Sequence, residues 1–161
     1  QLTSYLSTTR IYKTDARYAP FPTEYNEAIR GMVDKVIFNV EADSSTLYDK
    51  IMGTDVGGFD MMKKSINDSV SSGLVVETHV VPMQVNFKHL KSIFEMCYQL
   101  GVSKVSILRL VLQGRALENL SLVKLTGEDS WEVTKLIKAL KEAYKGKVRI
   151  GLTNSDNKCG N

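Results

Sequence analysis

A chain of 161 residues with 43% apolar and 24% charged residues and a formal charge of +3 has the makeup of one globular domain, or a piece of one, with enough apolar side chains for a real core. No run approaches the roughly 20 apolar residues of a membrane-spanning helix, and the lysines are spread along the chain rather than clustered, which argues against membrane and nucleic-acid partners. The first ten residues, QLTSYLSTTR, lack the apolar stretch of a secretion signal, so a cytoplasmic chain is expected; Gln1 is not a start methionine, which suggests a processed product or a fragment.

In chain order, Arg10 to Lys13 reads as a short strand and is followed by a loop holding Pro20 and Pro22. Thr23 is placed to cap a helix running to about Arg30, with Glu24 and Glu27 near its positive end. Val36 to Glu41 is β-branched and aromatic, which predicts a strand. Ser44 or Ser45 then caps a short helix through Leu47, Tyr48 and Ile51, which ends at Gly53. Phe59, Met62, Ile66 and Val70 keep helical spacing, a core stripe rather than a cofactor box. Gly73 stops that helix, and Leu74 to Val81 is the next strand.

Asn86 is expected to cap a helix whose apolar face carries Phe87, Leu90, Phe94 and Cys97, with Tyr98 beside it. Lys104 to Val111 is a strand, and residues 112–127 form a looser stretch. Glu128 to Tyr144 is a helix, with Trp131, Leu136, Ile137 and Leu140 expected inward. Lys147 to Leu152 is a last strand, and 153–161 is a polar tail. Strand–helix units with near-continuous apolar strands imply a parallel sheet covered by helices. About five strands are too few for an eight-fold barrel. The expected fold is therefore α/β, a partial (β/α) barrel or open sheet of about five mainly parallel strands with flanking helices, forming a single domain.

Side chains alternate faces along a strand. Asn39 and Glu41 therefore share a face with Ile37, and Glu77 and His79 share one with Val75, Val81 and Met83. Arg109 shares one with Val105 and Ile107. If the three strands are neighbours, Glu41, Glu77, His79 and Arg109 surround one space. Buried charges must pair or meet a ligand. The arrangement is thus either a structural ion network or a polar site at the carboxyl ends of the strands.

Other motifs are weaker. Gly57-Gly58 follows a helix rather than a strand and makes a poor phosphate loop, and the chain holds no GxGxxG and no P-loop. His79, His89 and Cys97 are too far apart in sequence for a metal site, and His89 reads as a surface residue. Cys97 reads as a buried inert thiol. With Cys159 as the second of two cysteines, no disulfide framework is expected.

Four stretches resemble the middle and C-terminal part of a radical S-adenosylmethionine enzyme barrel. VDKVIFNVEADSSTLYDKIMGT, residues 33–54, is similar to the fourth barrel strand and its helix. FDMMKKSINDSVSSGLVVETHVVPMQVN, residues 59–86, is similar to the next helix and the fifth strand with its V-P-M-x-x-N exit. LGVSKVSILRLVLQGRA, residues 100–116, looks like the sixth strand, and KVRIGLTNSDNKCG, residues 147–160, looks like a late strand leading to a cysteine-containing tail.

The resemblance implies that Asn39 and Glu41 approach the ribose and methionine part of S-adenosylmethionine. By the same resemblance Val81, Pro82 and Met83 line the adenine, and Arg109 and Gln113 approach the methionyl carboxylate or the substrate. Glu77 and His79 fall on the substrate side. The family's CxxxCxxC motif, which binds a 4Fe-4S cluster, is absent from this sequence. The expectation is the C-terminal part of an enzyme whose cluster lies upstream, inactive in the radical chemistry by itself. Cys159 is a candidate ligand of an auxiliary cluster.

An unpaired sheet edge invites self-association. Two alternatives stand beside this reading. One is a non-catalytic module that binds S-adenosylmethionine or a protein partner. The other is a cluster-independent α/β enzyme using Glu77, His79 and Arg109 in acid–base work.

Overall fold

The computed structural model describes residues 11–14, 23–53 and 57–152. The Pro20–Pro22 loop, the polar tail and Cys159 lie outside them. The elements are β1 (Ile11–Thr14), α1 (Thr23–Ile29), β2 (Lys35–Asn39), α2 (Ser45–Met52), α3 (Gly58–Ser71), β3 (Val76–Val80), α4 (Leu90–Gln99), β4 (Lys104–Ile107), α5 (Arg115–Glu118), α6 (Leu120–Val123), α7 (Gly127–Ala143) and β5 (Arg149–Leu152). The five strands form one sheet in the order β1-β2-β3-β4-β5, and every pairing is parallel. Spatial order equal to chain order, with helices in the crossovers, is the arrangement of a partial (β/α) barrel.

The apolar residues of the strands divide as their alternation requires. Val36, Phe38 and Val40 of the β2 segment, Val76 and Val80 of β3, and Val105 and Ile107 of β4 belong to the main core. With them pack Met62 and Ile66 of α3, Leu90, Ile93, Phe94 and Cys97 of α4, and Val133, Ile137 and Leu140 of α7. Each fully buried aliphatic or aromatic side chain contributes roughly 1.5–3 kcal/mol relative to exposure. This face of the sheet is therefore where most of the fold's stability resides.

Local signals place the helix ends. The Ser44 hydroxyl accepts the Leu47 N–H, so Ser44 rather than Ser45 caps α2. Gly53 closes it at φ 65°, a left-handed conformation that a side chain would strain. Thr126 and Asp129 form a reciprocal capping box on α7.

Two inward assignments are corrected. Trp131 is 67% exposed and lies under the Lys135 ammonium instead of in the core. It precedes the buried Val133 by two positions, so on a helix it points well away from the Val133–Ile137–Leu140 stripe. Tyr98 is partly exposed and stacks edge-on against Tyr144, whose hydroxyl bonds the Glu95 carboxylate and ties the end of α7 to α4. That bond holds Glu95 below the ordinary carboxylate range.

Cys97 receives a hydrogen bond from Thr78 at 3.6 Å and is fully buried; burial pushes its thiol up to about 12. Alkylation at pH 8 under native conditions is therefore expected to spare Cys97 and to reach it fully in denaturant. Peptide mapping by mass spectrometry reads the difference, and native labelling at Cys97 contradicts the packing.

Candidate functional site

The second face of the sheet carries the polar strand residues. Register aligns Ile37, Glu77, Lys104 and Arg149 in one row and Asn39, His79, Ser106 and Gly151 in the next. Because the strands are parallel, the first row lies toward the amino ends and the second toward the carboxyl ends. Asn39 and His79 are thus neighbours at the end of the sheet where parallel folds place their sites.

Glu77 belongs to the other end. Its carboxylate accepts from Lys35 Nζ at 3.2 Å on each oxygen. Lys104 Nζ lies at 3.8 Å and Arg149 at 3.9 Å. Three strands contribute a cation from their first residue, and one buried carboxylate gathers them. Glu77 therefore closes an ion cluster at the amino ends of the strands.

Glu41 lies just past the end of β2, 8% exposed. One of its carboxylate oxygens accepts the Val81 N–H at 2.8 Å. Burial drives its pKa up to about 8, and that bond opposes the shift. Asn86 completes the tie. Its amide nitrogen donates to Glu41 O at 3.0 Å and Val81 O at 3.1 Å, and its amide oxygen accepts the Met83 N–H at 2.7 Å. Asn86 is fully buried and makes no side-chain cap. The expectation that it caps the next helix is corrected: its side chain holds the exits of β2 and β3 together, and a 3₁₀ turn over Phe87–His89 leads into α4. His89 is a half-exposed partner of Asp43, with Nδ1 at 3.0 Å from the carboxylate.

Above these exits lies a cavity of about 290 Å³ lined by Lys50, Ile51, Gly53, Met83, Val85, Leu110, Ala116, Asn119, Leu122 and Val123. It falls just below the roughly 300–1,000 Å³ typical of small-molecule sites. Its far wall is α6, held in place by backbone bonds from Val85 N to Leu122 O and from Gln84 N to Val123 O. Met83 offers a polarizable thioether, and Lys50 and Asn119 supply the polar groups.

Arg109 does not join this arrangement. It is exposed, beyond the end of β4, and lines a different cavity together with Val133, Thr134 and Ile137 of α7. The idea that Glu41, Glu77, His79 and Arg109 surround one space is corrected on this geometry. Glu77 is at the amino ends, Arg109 is on the α7 side, and the Glu41 carboxylate is bonded to Val81. Gln113 is exposed and lines neither cavity. Val81 takes part through its backbone.

Sequence reasoning missed Lys35, Asn86, Leu110 and Lys50. Only Lys35 had a signal, its parity with Ile37 beside the Glu77 strand. Comparisons with protein-family models and with curated proteins return no match to this chain.

Among the described residues no group of three or more His, Cys, Asp or Glu is placed to hold a metal ion. The described cysteine, Cys97, is buried between β3 and α4. These residues do not fit an iron–sulfur cluster. The 290 Å³ cavity differs in kind: its walls are mostly apolar, with one side-chain amide and one ammonium.

Proposed function

We propose that this chain is the C-terminal part of a radical S-adenosylmethionine enzyme, and that its share of the work is to hold the nucleoside end of that cofactor at the carboxyl ends of β2–β4. The observation that carries the reading is the cavity over the β3 exit, where Met83, Val85 and Leu110 form a soft apolar bed. The order of the four resembling sequence stretches supports it. When bound beside a reducing cluster, S-adenosylmethionine supplies a 5′-deoxyadenosyl radical. The residues of this chain do simpler things. Met83 and Leu110 exclude water from the base, Asn119 offers an amide for its edge, and Lys50 provides the cation a carboxylate requires. Glu41 and Asn86 set the position of Met83 by fixing the loop that carries it.

Calorimetry with S-adenosylmethionine tests the proposal. Saturable binding tighter than about 1 mM, equivalent to −4.1 kcal/mol, is expected. Leu110→Glu, which puts a charge into the apolar wall, is expected to weaken it at least tenfold while the melting temperature moves by only a few degrees. Absence of saturable binding, or a Leu110→Glu protein that binds like the parent, sinks the reading.

A further inference from the structure

We infer that the cavity between the end of β4 and α7 is a binding site for a small anion with an apolar body, of the medium-chain carboxylate class. The space is about 420 Å³, and its walls are mostly aliphatic, including Ile107, Leu108, Leu125, Val133 and Ile137. Arg109 and Lys124 are exposed side chains on its lining, and no carboxylate lines it. Neither cation has an ion-pair partner among the described residues.

The two hydroxyls of the lining are already committed as donors. Ser130 Oγ donates to Thr126 O at 2.7 Å, and Thr134 Oγ1 donates to Ser130 O at 2.8 Å. They have no hydrogen left to give an anion, so the head preference rests on charge: a cationic head meets Arg109 and Lys124 with no carboxylate to pair with, whereas a carboxylate finds two free cations. An apolar body is required by the walls, and a negative head by the charges. The first cavity shares only Leu110 with this one, so the inference stands apart from the proposed cofactor site.

Octanoate, hexanoate and octyltrimethylammonium, each below its micelle concentration, are the probes for calorimetry. Octanoate is expected to bind saturably, about fifteenfold tighter than hexanoate, because each of its two extra methylenes is worth roughly a fourfold gain when buried. It is expected to bind at least tenfold tighter than the ammonium. The Arg109→Gln/Lys124→Gln double variant should erase that charge preference while keeping the chain-length effect.

Thr134 is exposed, so Thr134→Phe fills the space without disturbing the core, and should weaken octanoate at least tenfold at unchanged melting temperature. Equal affinity for the three probes, or octanoate binding untouched by Thr134→Phe, overturns the assignment. So does sedimentation that reveals a dimer broken by Thr134→Phe, because the cavity is then covered by a second copy.

Discussion

Glu41→Gln is expected to make the protein more stable at pH 8 and to leave it nearly unchanged at pH 4.5. The cause is the burial that raises the Glu41 carboxyl from 4.5 to about 8. In the unfolded chain the group loses its proton near its ordinary value; in the folded chain it keeps the proton much longer. Between those two values the folded state binds more protons, so stability falls as pH rises through that window and is flat on either side. The full difference is on the order of 5 kcal/mol at 1.36 kcal/mol per pKa unit.

A glutamine cannot ionise, and its amide oxygen still accepts the Val81 N–H that the carboxylate accepts at 2.8 Å. All other ionisable groups are common to the two proteins and cancel in the comparison. Denaturant unfolding at several pH values between 4.5 and 8.5 measures the effect. Two stability curves that run parallel across this range contradict the buried, proton-holding carboxyl.

The fold was legible because the apolar pattern is redundant. Val36, Phe38 and Val40 alternate with residues of the other face, and Phe59, Met62 and Ile66 repeat at helical spacing, so the strand and the helix announce themselves independently. Three successive strand–helix units then leave few topologies other than a parallel sheet in chain order. The strand ends were less legible. The apolar run through Val81 outlasts the ladder of β3, which stops at Val80, because the Val81 N–H is taken by a side chain and Pro82 has no N–H to give. Trp131 was misplaced since an aromatic residue in an amphipathic helix is assigned inward by hydrophobicity alone, and its angular offset from Val133 overrules that.

The candidate site was legible only as faces. Alternation correctly put Glu77 and His79 on one side of the sheet, but period two carries no information on which end of the strand a group serves. That required register, which places Glu77 beside Lys104 and His79 beside Ser106. Asn86 was hidden for a related reason. Asparagine before a helical pattern is the ordinary signal of a cap. Two of its actual partners, Val81 and Met83, lie in its own loop, and the third, Glu41, is brought to it only by the pairing of β2 with β3. Arg109 was drawn toward the other charges by its strand, whereas the chain leaves the ladder at Ile107, before Arg109 is reached.

Glu77→Ala is expected to cost about 3 kcal/mol of stability and to leave S-adenosylmethionine affinity within twofold. The carboxylate is 6% exposed and is the acid that gathers Lys35, Lys104 and Arg149. Breaking a buried pair costs roughly 3–5 kcal/mol because a charge is stranded. The lower figure applies here, since the lysine and arginine side chains keep 20%, 31% and 72% of their exposure and recover water when the acid is gone.

Lys35→Met is expected to cost less, about 1 kcal/mol, because Glu77 keeps two cations within 4 Å. Combining the two changes should cost less than their sum, as coupled neighbours do. Affinity for the proposed cofactor should be spared because Glu77 is three residues from the carboxyl end of β3, about 10 Å at 3.3 Å per residue. Denaturant titration of the three variants, paired with calorimetry, separates the alternatives. A Glu77→Ala protein of unchanged stability that no longer binds S-adenosylmethionine makes Glu77 a ligand group. The amino-end ion cluster is then not what holds those strands together.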